Sequence, residues 1–363
     1  MKLAGITYKH EQSASWLKRS IFICIILGSL SLSFLFFTPP GSRIRLFLAD
    51  TFIATQHREW AWIFVGVKKR DEMIQNVQQM SENNAIEKQD LNAITIQKQD
   101  GKLIDVEDIA GRGWIGKKMI VYDPRAIRVV VPSKVGQGET ISSMVNRTGA
   151  LAGINGGGFD DPQGLGNGFA PIGVIMSGGQ ILYTSVDGTV PQQVVAFDKG
   201  KLLIGKYSID ELLALHVTDA VSFYPRIIAN GKALPIIGDG LNPRTAIGQR
   251  ADGVIIMIVI DGRQTKSIGA SLKDVQDLLL KEGCVNAGFL DGGASSEMVV
   301  GNDLITHPSS RYGERRLPSG LLIFEHPDQV KVENIWDGVT DIDPGGAYDN
   351  PGYLAEQHHL NNK

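Results

Sequence analysis

Two carboxylates in this chain each end an apolar run and precede glycine. Asp291 follows Ala287–Leu290 in the stretch Asn286-Ala287-Gly288-Phe289-Leu290-Asp291-Gly292-Gly293-Ala294-Ser295-Ser296-Glu297-Met298, and Asp261 follows Val254–Ile260 in Asp261-Gly262-Arg263. An acid delivered by a buried strand onto a glycine turn sits beside exposed backbone N–H groups, and the missing side chain lets a ligand approach closely. Around Asp291 the hydroxyls of Ser295 and Ser296 and a second carboxylate, Glu297, follow within a few residues. The plain alternative is a strand closed by an Asx-type turn. Arg244, in Asn242-Pro243-Arg244-Thr245-Ala246-Ile247-Gly248, and Arg315 are the cations of interest. A guanidinium fork suits phosphate because it binds two oxygens at once. For Arg244 the competing role is an ion pair with Asp261 or Asp291 that holds the loops. A third glycine stretch, Ala152 to Asp161, contains Asn155, Gly156 and Gly157. It lacks the Gly-Lys-Ser/Thr ending of a phosphate loop and no long helical pattern follows, which excludes nucleotide binding of that type.

The elements that must position these residues are mostly short. Val254–Ile260 is a β-branched run suited to a strand buried on both faces. Leu272–Lys281 reads as a helix capped by Ser271, with Leu272, Val275, Leu278 and Leu279 on one face. The Asp291 strand follows. If the two strands are parallel neighbours, Asp261 and Asp291 emerge at one sheet edge, where ligands bind in open sheets. Hairpins are expected over 171–181, 194–204 and 222–232, the last at an Asn-Gly turn. Two strands flank Asp123-Pro124, short helices cover 141–148 (capped by Thr140) and 209–215, and a last strand covers 320–324. Hairpins outnumber βαβ units, so the fold class is α+β: a mixed, mostly antiparallel β-sheet core with a few helices, preceded by one N-terminal transmembrane helix.

The 363 residues are 43% apolar and carry a net charge of −3, which disfavours nucleic acid as a partner. Cys24 and Cys284 have no metal-type spacing, so no cysteine-based zinc site can be built. Residues 21–37 contain no charge and end at Thr38-Pro39-Pro40-Gly41. They read as an uncleaved membrane anchor, with a signal peptide as the alternative. Lys2, Lys9, Lys18 and Arg19 precede the span, placing residues 1–20 in the cytoplasm and the bulk of the chain outside it. Residues 38–93 form a juxtamembrane segment and linker. Trp60–Val67 is too short to span. From Lys68 to Asp100 the composition resembles a stalk, helical in part. The folded domain covers 94–326, and 327–363 is an irregular appendage whose His358-His359 pair reads as solvated.

Taken together, Ile154-Asn155-Gly156-Gly157, the Asn242–Gly248 stretch, Asp261-Gly262-Arg263, Leu290-Asp291-Gly292-Gly293 with Ser295-Ser296, and Glu314-Arg315 resemble the phosphodiester glycosidase family, over roughly residues 95–326. That is the family of the lysosomal enzyme that removes a capping N-acetylglucosamine from mannose 6-phosphate. The chain departs from the family pattern at Phe289, at Glu297 and at the extra glycine Gly158.

The resemblance implies cleavage between an anomeric carbon and a phosphate oxygen, through an oxocarbenium-like state. Asp291 is then the essential carboxylate, as nucleophile or base, and Asp261 its partner, with Glu297 a further acid. Arg244 and then Arg315 clamp phosphate. Asn155, Thr245, Arg263, Ser295 and Ser296, with the backbone of Gly156, Gly157, Gly292 and Gly293, complete the expected substrate contacts. No cofactor is required on this reading. The expected partners are a sugar-phosphate or envelope polysaccharide substrate and the membrane. Two alternatives stand beside it: a silent polysaccharide-binding relative, and a phosphodiesterase using Asp261, Asp291 and Glu297 around a divalent cation.

Overall fold

The computed structural model describes residues 4–97, 101–161, 164, 167–238, 240–310, 313–342 and 344. Lys2, His358 and His359 lie outside the described residues. The helices are α1 (Ala4–Phe37), α2 (Pro39–Ile53), α3 (Trp62–Val65), α4 (Val67–Ile86), α5 (Ile141–Thr148), α6 (Ile209–Ala214) and α7 (Leu272–Lys281). The first strands are β1 (Ile104–Gly111), β2 (Trp114–Val121), β3 (Ile127–Val130), β4 (Ala152–Asn155), β5 (Val174–Ser177), β6 (Gln180–Thr184), β7 (Gln192–Asp198) and β8 (Lys201–Tyr207). Then come β9 (Asp219–Ser222), β10 (Arg226–Ala229), β11 (Lys232–Ala233), β12 (Arg244–Arg250), β13 (Ile255–Ile260), β14 (Cys284–Phe289), β15 (Met298–Val300), β16 (Asp303–Leu304) and β17 (Gly320–Ile323).

The strands form a seven-stranded sheet ordered β1-β2-β13-β12-β14-β10-β11 and two five-stranded sheets, β16-β15-β4-β17-β3 and β6-β5-β9-β7-β8. All described neighbours pair antiparallel. The fold is α+β.

Every residue of β13 is buried, as its unbroken apolar run requires. Its odd-numbered residues, Ile255, Met257 and Val259, join the central core, whereas Ile256, Ile258 and Ile260 face the layer containing Val275 and Leu279 of α7. That alternation is the strand's period of two expressed as two packing faces. Ser271 caps α7 in a reciprocal capping box with Asp274, and Thr140 caps α5 by accepting from the Ser143 amide at 3.2 Å. The β10–β11 turn uses Asn230 and Gly231, both at positive φ (49° and 75°), as an Asn-Gly hairpin demands.

One expected neighbour relation is corrected. β13 and β14 do not pair; β12 lies between them, antiparallel to both. They therefore run parallel to each other at two strand spacings, roughly 10 Å. Asp261 and Asp291 still leave at the same rim, and Arg244, the first residue of β12, enters between them.

The stretch with stalk-like composition is docked onto the domain. In α4, Asn84 donates to the Pro235 carbonyl at 2.8 Å, Ser81 lies 3.1 Å from Gln193, and Glu82 pairs with Lys206. Arg226 donates to the Glu87 carbonyl at 2.6 Å. The region after 327 is also partly built in. Trp336 is buried, stacks on Phe169 at 5.5 Å between ring centroids, and donates its indole N–H to the Phe169 carbonyl.

Candidate active site

Segments far apart in sequence converge around Asp291. β14 delivers it, and its amide donates to the Gly156 carbonyl at 3.1 Å, tying its turn to the end of β4. Asn155, fully buried, is the hub of this junction. Its side-chain amide donates to the Asp291 carbonyl at 2.6 Å, while its oxygen accepts from the Thr245 hydroxyl (2.7 Å) and the Glu297 amide (3.2 Å). Asn155 and Thr245 thus fix the Asp291 backbone. The glycine amides are likewise used within the protein. Gly156 and Gly157 donate to Ser319, and Gly293 donates to the Pro243 carbonyl. Gly292 donates to Asp291 Oδ1 at 2.9 Å.

The Asp291 carboxyl lines a cavity of about 1150 Å³ together with Asp161, Arg244, Arg263 and Arg315. Burial pushes its pKa up to about 6, against the opposing pull of the Ser295 hydroxyl, Arg315 and the Gly292 amide; Asp161 raises it further. The group is therefore poised to exchange a proton near neutral pH.

The three arginines are not equivalent. Arg315 is salt-bridged to the buried Asp161, donates to the Ser295 hydroxyl at 3.3 Å, and lies over the Phe159 ring at 4.8 Å. Arg244 donates to the carbonyls of Ala270 (3.2 Å) and Gly240 (2.9 Å), and Arg263 donates to the Asn242 side-chain oxygen (3.0 Å). Among the described residues, neither has a carboxylate partner. Burial, aided by Arg263, pushes Arg244 down to about 10; burial and Arg315 lower Arg263. Arg263 thus depresses Arg244, and Arg315 depresses Arg263; cations that meet only neutral acceptors among the described residues retain capacity for an anion. The suggested ion pair of Arg244 with Asp261 or Asp291 does not form.

Asp261 and Glu297 are placed elsewhere. Asp261, 5% exposed, accepts from the His307 amide at 2.9 Å and faces His307 Nδ1 at 2.9 Å, and it does not line the cavity. Glu297 is fully buried beside Glu314 and the N-terminal end of α5, and its pKa is raised well above the carboxylate range, first by burial and then by Glu314. Ser296 is buried and also lies off the cavity. Among the described residues, no three His, Cys, Asp or Glu side chains gather as a metal site. The carboxylate that sequence reasoning missed is Asp161. It ends the glycine stretch Ala152 to Asp161, but its partner Arg315 is 154 positions away.

Residues 148–324 match the family model described as phosphodiester glycosidase. A prophage-derived uncharacterized protein, YomE, of Bacillus subtilis is 32% identical over 202 residues, 52% of this chain and 30% of that protein. Human N-acetylglucosamine-1-phosphodiester alpha-N-acetylglucosaminidase is 39% identical over 69 residues, 19% of this chain and 13% of that protein. The chain thus spans less than a third of the length of these curated relatives. The zebrafish enzyme of the same name, solved as a catalytic domain auto-inhibited by its pro-peptide, shares the fold. Its TM-score is 0.54 at 22% identity, over 64% of this chain and 87% of that one. Over residues 148–324 the chain is therefore similar to the phosphodiester glycosidase family, in agreement with the motifs that carry the resemblance.

Proposed function

We propose that the protein is a membrane-anchored hydrolase, its domain outside the cytoplasm, that cleaves a sugar 1-phosphodiester of the N-acetylglucosamine type. The observation that carries this reading is the cation couple Arg244 and Arg263, without a carboxylate partner among the described residues, beside a carboxyl whose pKa is raised to about 6. Sugar diesters present both charges such a site needs: an anionic phosphate for the arginines and a developing cation at the anomeric carbon for Asp291. In the reaction, the bond from the anomeric carbon to the phosphate oxygen breaks. The electron pair leaves with the phosphate as a monoester, and water supplies hydroxyl to the carbon and a proton to the carboxylate. Because phosphate leaves as an already stabilised anion, the arginines replace much of the work of a general acid. Arg315, held by Asp161, positions Ser295 and Asp291.

The anchor is the apolar part of α1. Trp16–Phe37, 22 residues, is long and apolar enough to cross a membrane by length and composition. The positive residues before it favour the domain on the outer side.

The test is release of free N-acetylglucosamine from N-acetylglucosamine 1-(methyl phosphate). Activity that disappears in Asp291→Asn, with the fold retained, supports the reading; turnover retained in that variant removes Asp291 from the mechanism.

A further inference from the structure

The cavity is larger than a sugar diester requires. At about 1150 Å³ it exceeds the roughly 300–1,000 Å³ of ordinary small-molecule pockets. Asp161, Asp291 and the three arginines occupy one part, and Arg58 and the Glu82–Lys206 ion pair line the cavity elsewhere. The remainder is roofed by the N-terminal helices, with Phe52, Ile53, Ile74 and Val77 facing Ile236 and Leu272 of the domain. Of the eight exposed large apolar side chains beyond the N-terminal helices, among the described residues, four line this cavity: Ile172 (52% exposed), Val190 (44%), Tyr224 (45%) and Ile237 (38%). Scattered apolar surface needs no explanation, but a cluster around one opening does.

This apolar half is joined to the membrane end of α1. α2 turns back against it: Arg45 donates to the Leu35 carbonyl at 2.9 Å and, across α2, to the Phe64 carbonyl at 2.8 Å. Gly41 sits so close that a methyl group there would meet the Phe34 carbonyl at 2.1 Å. On the same segment Trp60, Trp62 and Ile63 are each about half exposed, the composition of a membrane-interface belt. From that end, the 15 residues of α2 run roughly 22 Å to the cavity wall at Phe52 and Ile53. There Asn242 reaches the Thr51 carbonyl at 3.5 Å.

Resting on the phosphodiester reading, we propose that the substrate is a lipid: a sugar joined through its 1-phosphate to a long alkyl or isoprenyl chain. The sugar phosphate lies at Asp291 and the arginines, and the chain lies in the apolar half under α2 and α4. Hydrolysis then yields free sugar and a lipid phosphate monoester, by the bond changes given above. A polymer of water-soluble repeats would find no use for the apolar half.

The full chain in detergent micelles is assayed on N-acetylglucosamine 1-(methyl phosphate) and on its farnesyl phosphate counterpart, alongside Val190→Asp and Ile237→Asp, both at exposed positions. The expected result is a kcat/KM at least tenfold higher for the farnesyl diester. Each variant should lose that advantage while the methyl diester rate stays unchanged. Equal kcat/KM for the two diesters overturns the lipid proposal and leaves the phosphodiester reading standing, as does an equal slowing of both in the variants. If neither diester releases sugar, the phosphodiester reading fails. Binding of a non-cleavable farnesyl phosphonate analogue then decides on the lipid cavity alone. Chain-dependent binding that the two variants abolish supports it, and binding indifferent to the chain overturns it.

Discussion

The two Asp-Gly turns of the seven-stranded sheet start from the same local pattern and end differently. Asp261 and Asp291 both terminate buried strands at one rim, on either side of β12. Asp261 is closed off: the backbone and ring of His307 occupy both its oxygens. Asp291 is left open to a cavity, its carboxyl met by its own turn amide and the Ser295 hydroxyl. An acid at a strand end becomes chemically available only if the following chain withholds a full set of partners. At Asp291 the second glycine does this. Gly293, at φ 64°, turns the chain away beneath Arg263, whose guanidinium nitrogen lies 3.4 Å from where a side chain would begin.

The contrast is broken most severely at Asp291 itself. Asp291→Asn should lower sugar release by about 10³-fold or more, whereas Asp261→Asn should leave kcat within a fewfold; comparable losses would erase the distinction. Next come the cations. Arg244→Ala and Arg263→Ala should each cost about 10²-fold on a phosphodiester and little on a nitrophenyl glycoside, measured side by side. Equal losses on both substrates would argue against a phosphate clamp.

Stability sharpens the comparison from the other side. Folding raises the Asp291 pKa to about 6, so its contribution is complete below the unfolded value near pH 4 and is lost as pH rises through about 6. Asp291→Asn should therefore unfold at higher denaturant than the parent at pH 7, by about 2 kcal/mol, with the gain vanishing toward pH 4. Asp261→Asn should instead cost about 1–2 kcal/mol, because it disturbs the acceptor of the His307 contacts. The smallest effect is the pH profile: kcat/KM should fall below about pH 6 as Asp291 takes up a proton.

Local patterns foretold much of this. The β13 run, the Asn230-Gly231 turn and the Thr140 and Ser271 caps each depend on neighbours within a few positions. What depended on distant partners was not legible. Asn155, read as a sugar contact, is a buried junction because Thr245 arrives on β12 and Glu297 from the residue before β15. The glycine amides, read as free donors, are taken by Ser319 and Pro243. Asp161 acquires its meaning only from Arg315. The docking of α4 was hidden because it runs through polar side chains, such as Asn84 on the Pro235 carbonyl, which composition alone assigns to solvent. Trp336 was hidden likewise in a segment rich in Asp, Asn and Gly.

On the proposed mechanism, one open carboxylate breaks the sugar–phosphate bond beside two arginines that have no carboxylate partner among the described residues. The most direct measurement is the rate of N-acetylglucosamine release from N-acetylglucosamine 1-(methyl phosphate) by the parent chain, Asp291→Asn and Asp261→Asn in parallel. Release by the parent and Asp261→Asn, with none above background from Asp291→Asn, is the expected outcome. Release that survives in Asp291→Asn, or that depends on Asp261 instead, would contradict the account.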